Sequence, residues 1–194
     1  MEPGTDAQLI RRSRDEPGLF EVIFDRHYDV VRVYAQRRVG MADGEEIAAG
    51  TFEQAFAQRG RFDTDTFRSA RPWLIGIANN LIRRHARQED VRRRHWPVSI
   101  AMDRSDWEPE FDGLEARERG PAIRSALAAL SEDDRETFLL VVMAELSYGD
   151  VAQIVGVPTG TVRSRINRAR RRLRELVEAA EAINPGEQDR RSAP

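Results

Sequence analysis

A helix, a tight turn and an arginine-rich second helix are predicted between Ser147 and Arg174, in the stretch SYGDVAQIVGVPTGTVRSRINRARRRLR. Ser147 and Asp150 have the spacing of a capping box, which favours the start of a helix at this point. Gly156 stands where a left-handed residue commonly ends a helix. Pro158 suits the first turn of the next helix, because no amide donor is needed there. These signals together predict a helix-turn-helix.

The second helix of this motif has one apolar face and is otherwise basic. Its apolar positions recur with helical spacing and are Val162, Ile166, Ala169 and Leu173. Arginines cover its other faces, and no acidic residue occurs between Asp150 and Glu175. Such a helix fits the major groove of DNA, where the N-terminal residues of a recognition helix meet the base edges. The alternative is an amphipathic helix whose charged face is only solvated.

The exposed positions of this helix divide into two chemical groups. Arginine pairs with two acceptors of guanine and asparagine with the edge of adenine, so the early positions suit base recognition. The later arginines suit phosphates, which add affinity without sequence information. The candidate DNA-binding residues are Thr161, Arg163, Ser164, Asn167, Arg168 and Arg171.

Composition excludes several classes of protein. The chain has 194 residues, a formal net charge of −2 and no cysteine, so neither a disulfide framework nor a thiolate metal site is expected. We expect no cofactor, because the three histidines are scattered and no phosphate-binding glycine loop or nucleophile–base pair is visible. No apolar run approaches membrane-spanning length, and the N-terminus lacks a signal-peptide pattern. We therefore expect an intracellular, cytoplasmic protein that is not an enzyme.

Helical periodicity also dominates the N-terminal part of the chain. Helices are expected over 6–14, over 19–40, from Asp43 with Glu46 in a capping box, and from Pro72 onward. His27 lies on the apolar face of the second of these helices, where a packed, hydrogen-bonded histidine is expected. The last helix has a polar face, and a loop with two aromatic residues precedes it. Side chains of these two segments suit single-stranded nucleic acid; they are Phe62, Phe67, Arg68, Asn79, Asn80, Arg83 and Arg84.

The overall pattern predicts an all-α protein of two small helical domains joined by a flexible linker. Residues 91–120 contain prolines and an acidic middle, which indicate a linker. The predicted domains are 1–90 and 121–178, the second ending in the helix-turn-helix, and 179–194 is expected to be a disordered tail. In the second domain, Ser131 and Asp134 predict a helix start, and the following helix is expected to bury Leu139, Val142, Met143 and Leu146.

With these residues laid out, the chain resembles bacterial sigma factors of the extracytoplasmic-function (ECF) class. The C-terminal part, from ALAALSEDDRETFLL through the helix-turn-helix, resembles region 4 of that class. The stretches FDRHYDVVRVYAQRRVG, TFEQAF and RPWLIGIANNLIRRHAR resemble region 2. The resemblance implies that region 4 reads the −35 promoter element. It also implies that region 2 binds the β′ clamp helices of core RNA polymerase and opens the −10 element.

Roles for individual residues follow from the same resemblance. Asn80, Arg83 and Arg84 are expected to face the −10 DNA, and the loop 62–68 to hold a base flipped from the non-template strand. The surface expected to contact the polymerase core comprises Glu46, Ile47, Ala49, Gly50, Glu53 and Gln54. Ala49 and Gly50 replace a polar pair that is common in the family at this surface, and Arg84 stands where an acid is frequent.

The resemblance implies a dissociable initiation subunit with three kinds of partner: core RNA polymerase (β′ clamp helices and β subunit), promoter DNA and an anti-sigma protein. Two alternatives remain open at this point. One is a stand-alone helix-turn-helix regulator that binds duplex DNA without polymerase. The other is a sigma-like module that has lost core binding through Ala49 and Gly50 and serves to titrate an anti-sigma protein.

Overall fold

The computed structural model describes residues 4–63, 67, 69–95, 123 and 125–183, and within these ranges the chain forms helices and connecting turns. The chain divides into two compact units, the first ending at Glu108 and the second beginning at Pro109. The first contains α1 (Asp6–Arg12), α2 (Phe20–Val39), α3 (Met41–Gln58) and α4 (Ala70–His95), with 3₁₀ turns at Pro17–Leu19 and Arg59–Arg61. The second contains α5 (Glu132–Val142), α6 (Tyr148–Val155) and α7 (Thr159–Ile183). The predicted all-α class is confirmed.

Asp6 joins the short first helix to the rest of the first unit. Thr5 caps α1 in a reciprocal capping box with Gln8, so the carboxylate of Asp6 is available for tertiary contacts. Asp6 accepts hydrogen bonds from His27 Nε2 and from the backbone amide of Ala70, both at 2.9 Å. It also pairs with Arg26 at 2.9 Å. The prediction that His27 is packed and hydrogen-bonded is confirmed, since its side chain is only 14% exposed.

The connection between α2 and α3 is a single glycine. Gly40 has φ 90° and ψ 172°, ends α2 and precedes the first residue of α3. The expected start at Asp43 with a Glu46 capping box is therefore wrong by two residues, because the backbone of Gly40 makes the turn. Gly44 then packs against the neighbouring helix so closely that a Cβ atom would lie 2.5 Å from Cα of Gln36. These two glycines set the close antiparallel packing of α2 on α3.

Helices α2, α3 and α4 enclose the core of the first unit. Its fully buried large side chains include Ile23, Val31, Tyr34, Leu74 and Ile75. The apolar face of α2 buries Phe20, Ile23, Val31 and Tyr34 in this core. Phe24 lies on the same face but is 39% exposed, and it packs edge-on against Phe52 at 4.9 Å between ring centroids.

Helix α4 is longer than the sequence patterns predict. It begins at Ala70, two residues before Pro72, because Asp6 binds the amide of Ala70. It continues to His95, five residues into the range assigned to the linker, because no proline or glycine occurs between Gly76 and Pro97. The acidic middle of the predicted linker lies outside the described residues.

The second unit is built around the predicted helix-turn-helix. Ser147 caps α6, accepting a hydrogen bond from the amide of Asp150 at 3.1 Å, and Gly156 ends the helix in the left-handed conformation with φ 68°. The carbonyl of Pro158 accepts hydrogen bonds from the first amides within α7. The predicted buried face of α7 is confirmed at Val162, Ile166 and Ala169.

Two expectations for the second unit are wrong. Val142 is 50% exposed, whereas Leu140 is fully buried in its place. The reason is that α5 ends at Val142 and the chain turns at Glu145, which has a positive φ of 51°. Residues 179–183, expected to lie in a disordered tail, continue α7 because the sequence there is rich in alanine and glutamate. Residues 184–194 lie outside the described part.

Candidate nucleic-acid interface

The first three turns of α7 present a polar surface to solvent. Arg163, Ser164, Asn167 and Arg168 are all exposed, and Thr161 is half-buried at its N-terminal edge. Ser164 Oγ donates to the carbonyl of Thr161 at 2.9 Å, which fixes its hydroxyl. The opposite face is anchored by the buried residues of the same helix, so the exposed side chains have a defined orientation. This surface can offer hydrogen-bond donors to DNA base edges and positive charge to phosphates.

Acidic residues from α5 meet two of these arginines. Arg168 donates to both carboxylate oxygens of Asp134, from Nε at 3.1 Å and from Nη2 at 2.7 Å. Arg165 forms an ion pair with Asp133. Although no acidic residue occurs between Asp150 and Glu175, these two arginines are therefore compensated by acids of a neighbouring helix, 32 and 34 residues earlier in the chain. The hydrogen bond from Arg168 holds the pKa of Asp134 below its ordinary value.

The outer part of the basic face has a different charge pattern. Arg171 and Arg172 both lie within ion-pair distance of Glu175, at 3.9 and 3.3 Å. Arg163 and Arg170 are exposed and form no ion pair with a described residue. On the first three turns of α7, Arg163 can therefore bind DNA without breaking an ion pair, whereas Arg168 must first leave Asp134.

The polar face of α4 is narrower than the sequence indicates. Asn80 and Arg84 are exposed and Arg83 is half-buried, but Asn79 is only 1% exposed. Asn79 Oδ1 accepts a hydrogen bond from the hydroxyl of Tyr34 at 3.1 Å, across the interface between α4 and α2. The prediction that Asn79 lies on the exposed face is wrong, because this buried hydrogen bond turns it toward the core.

The aromatic residues before α4 form a cluster with Trp73. Phe62 is only 6% exposed, and its ring lies 5.0 Å from that of Trp73 and 6.4 Å from that of Phe67. Burial against Trp73 makes Phe62 part of the core, so little of its ring is exposed for the predicted contact with DNA. Phe67 remains half-buried at the edge of the cluster. Arg68 lies outside the described residues.

A groove of about 390 Å³ lies between α3 and α4 at Ala49 and Gly50. Its walls carry the charges of Glu46, Glu53 and Arg84. His85 stands at one side, paired with Asp43 at 3.2 Å. Four of the predicted core-contact residues, Glu46, Ala49, Gly50 and Glu53, line this groove, and Ile47 reaches it although only 7% of Ile47 is exposed. Gln54 does not line it.

Sequence reasoning missed three sets of interacting residues: Asp133 and Asp134, the Tyr34–Asn79 pair, and Asp6. The acids in the first turn of α5 carried a signal, since carboxylates there stabilise a helix, but no sequence pattern connects them with α7.

Within residues 4–95 and 123–183, no helix combines the length and apolar composition needed to cross a lipid bilayer.

Comparisons with known proteins define the class to which this fold belongs. Residues 23–92 match the family described as Sigma-70 region 2, and residues 121–173 match the family described as Sigma-70, region 4. The first match includes most of α4 with its polar face, and the second includes α6, the turn and the first half of α7. Together the two regions place the chain among the bacterial sigma factors of transcription initiation.

Curated relatives narrow this class. The chain is 34% identical over 132 residues to the ECF RNA polymerase sigma factor SigC of Mycobacterium tuberculosis, which covers 68% of each chain. It is 33% identical over 163 residues to EcfG of Rhodopseudomonas palustris, covering 80% of this chain and 84% of the relative. The chain belongs to the extracytoplasmic-function (ECF) sigma factors.

Solved structures support the fold. CnrH, in complex with the cytosolic domain of CnrY, matches with a TM-score of 0.65 and 23% identity, covering 90% of this chain and 97% of that chain. The sigma factor RpoE of Bartonella quintana, in complex with the anti-sigma factor NepR, matches with a TM-score of 0.65 and 24% identity, covering 82% and 96%.

Proposed function

We propose that this chain is a dissociable subunit that directs RNA polymerase to promoters by reading two DNA elements with two separate units. In this proposal residues 1–90 bind the polymerase core and the −10 element, and residues 121–178 read the −35 element. Residues 91–120 are the linker that connects these two units. The observation that carries the proposal is the presence of regions 2 and 4 in one chain, each with exposed polar side chains on its long helix.

The −35 element is read by the N-terminal half of α7. Arg163 and Asn167 contact base edges, Ser164 and Thr161 support them, and Arg171 binds phosphate. This division follows from their exposure, because base edges are reached by the exposed N-terminal turns of a recognition helix and phosphates by the residues beside it. Arg168 contributes to DNA binding only after its hydrogen bonds to Asp134 are replaced by contacts with DNA.

The −10 element is bound by the exposed side of α4. Asn80, Arg83 and Arg84 face single-stranded DNA, and Phe67 and Arg68 of the preceding loop contribute to the same binding. Asn79 and Phe62 act indirectly, by supporting the helix and the aromatic cluster from within the core. Capture of unstacked bases supplies the free energy of opening, which amounts to a few kcal/mol per base. No enzymatic step is proposed, because binding alone performs this work.

Core RNA polymerase binds at the surface of α3 around the groove at Ala49 and Gly50. The β′ clamp helices are the expected partner there, and the β subunit the expected partner of the second unit. Because both DNA-reading units belong to one chain, the second DNA contact becomes effectively intramolecular after the first. We place this function in the cytoplasm, where polymerase and DNA meet.

An anti-sigma protein is a further proposed partner. Two proteins that share this fold were solved as complexes: CnrH with the cytosolic domain of CnrY, and RpoE with the anti-sigma factor NepR. The partly exposed aromatic residues Phe24 and Phe56 on the first unit provide an apolar surface for such a protein.

The test is a titration of the full-length, labelled chain with core RNA polymerase, followed by gel filtration. Tight one-to-one binding and initiation from promoters by the reconstituted holoenzyme are expected. A folded chain that does not bind the core would contradict the proposal and favour a stand-alone regulator or a titrating module. The variant Ala49→Gln, Gly50→Glu would then show whether these two small residues are responsible.

A further inference from the structure

Asp134 and Arg168 form a two-point ion pair at the border of the recognition surface. The Nε–Nη2 edge of the guanidinium meets both carboxylate oxygens, at 3.1 and 2.7 Å. The same edge of an arginine is suited to gripping two acceptors on a base or a phosphate. As long as the pair holds, this edge of Arg168 is occupied and DNA cannot bind it.

The carboxylate of Asp134 is held firmly in place. It lies in the first turn of α5, where the N-terminal end of a helix favours negative charge. Its backbone amide donates to the capping hydroxyl of Ser131 at 3.2 Å, and its side chain is 13% exposed, whereas that of Arg168 is 53% exposed. The hydrogen bond from Arg168 lowers the pKa of Asp134, which favours its ionised form. Arg168 is therefore the mobile member of the pair.

We propose that Asp134 is a specificity-determining residue that withholds Arg168 from DNA lacking the correct −35 sequence. Every contact of DNA with the Nε–Nη2 edge of Arg168 replaces an existing two-point contact with Asp134. Exchange for one phosphate gains little, because one anion replaces another and Asp134 is left facing the negative backbone. Exchange for a guanine edge in the correct register adds two hydrogen bonds while the neighbouring side chains also bind. Asp134 thus weakens binding to unrelated sequences more than binding to the correct one.

This inference rests on the proposed reading of the −35 element by α7, so the experiment tests the two separately. Wild-type holoenzyme first selects −35 sequences from a library of duplexes randomised at that position. The full-length chain is then titrated by fluorescence anisotropy with the selected duplex and with a scrambled duplex, over a range of salt concentrations. The variants are Asp134→Asn, Asp134→Glu, and Arg168→Ala with and without Asp134→Asn.

Asp134→Asn is expected to strengthen binding to the scrambled duplex more than to the selected one, so that discrimination falls. Its salt dependence on scrambled DNA should steepen by about 0.9 in log–log slope, the value for one additional phosphate contact. Asp134→Glu, which keeps the carboxylate, should restore discrimination, and Asp134→Asn should have no effect in the Arg168→Ala background. Asp133→Asn is the matched control, because its partner Arg165 is only 14% exposed; it should leave discrimination unchanged.

Two results with a folded Asp134→Asn variant would overturn the inference. One is unchanged discrimination between the selected and the scrambled duplex. The other is a loss of affinity for the selected duplex alone, which would mean that Asp134 supports the base contacts. Failure of the wild-type holoenzyme to select any −35 sequence would instead refute the proposed function of α7. Circular dichroism of each variant establishes that it is folded, and the Asp134→Glu variant provides a test if Asp134→Asn is not.

Discussion

The carboxylate of Asp6 accepts a hydrogen bond from the backbone amide of Ala70, 64 residues away in the chain, at 2.9 Å. A residue of α1 thereby satisfies an amide at the start of α4, the helix that carries the proposed −10 surface. The same carboxylate binds His27 and Arg26, so one side chain joins three helices. Substitution of Asp6 therefore affects the position of α4 as well as the attachment of α1.

Asp6→Asn is expected to destabilise the first unit by about 2–3 kcal/mol, because it removes a mostly buried carboxylate that pairs with Arg26 and accepts hydrogen bonds from His27 and the amide of Ala70. The hydrogen bond from His27 is the largest cause that lowers the pKa of Asp6. A lowered folded-state pKa contributes stability above the unfolded pKa of about 4, and this contribution is lost as the pH falls through the folded value. Thermal unfolding at pH 7 and pH 3 should show a smaller difference between wild type and variant at pH 3. Asp29→Asn is the control, since Asp29 is 87% exposed.

Two glycines of α3 are expected to respond oppositely to alanine. Gly44→Ala should cost about 1–3 kcal/mol, because the new Cβ would meet the backbone of Gln36 at 2.5 Å. Gly50→Ala should stabilise the chain by about 0.5–1 kcal/mol, because its nearest neighbour would be Leu81 Cδ1 at an ordinary 3.7 Å. Thermal unfolding followed by circular dichroism compares them directly. Equal effects would refute the close approach of α2 and α3 at Gly44.

Adjacent asparagines of α4 are expected to have separate roles. Asn79→Ala should destabilise the chain by about 1–3 kcal/mol, because it removes a buried acceptor of the Tyr34 hydroxyl. Asn80→Ala should leave thermal stability unchanged and reduce opening of the −10 element. Permanganate footprinting of promoter DNA bound by the reconstituted holoenzyme measures that opening. A stability loss confined to the Asn80 variant would reverse the assignment.

Two arginines of α7 are expected to differ in what they recognise. Arg163→Ala should cost about 1–3 kcal/mol on the selected −35 duplex and relax the preferred sequence. Arg170→Ala should weaken binding to the selected and the scrambled duplex equally. It should also reduce the slope of log affinity against log salt concentration by about 1, as expected for a phosphate contact. Anisotropy titrations with the full-length chain distinguish these outcomes. Equal losses on both duplexes for Arg163→Ala would show that it contacts only phosphate.

Local sequence signals were sufficient where a single residue determines the backbone. Gly156 ends α6 in the left-handed conformation, Ser147 caps it, and the spacing of Val162 and Ile166 identifies the buried face of α7, all as predicted. Helix ends were less predictable where a distant residue sets them, as Asp6 does for α4.

The exposed face of a helix was harder to predict than the helix itself. Asn79 and Asn80 are adjacent polar residues, and only the partner Tyr34 on α2 decides which of them is buried. In the same way, the acids that meet Arg165 and Arg168 come from another helix, so the charge of α7 alone overstated its free positive charge. Tertiary contacts of this kind leave no periodic signal in the sequence.

Arg84 borders two surfaces at once. Its side chain lines the groove at Ala49 and Gly50, and it stands one helical turn beyond Asn80 on the exposed side of α4. A protein that binds this guanidinium in the groove changes the affinity of the chain for a nucleic acid. The nucleic acid changes the affinity for that protein by the same factor, because coupling between two binding equilibria is reciprocal. The sign of this coupling depends on the side chain of Arg84. If the protein and the nucleic acid compete for its guanidinium, each lowers the affinity of the chain for the other. If one of them only orients the guanidinium for the other, each raises that affinity.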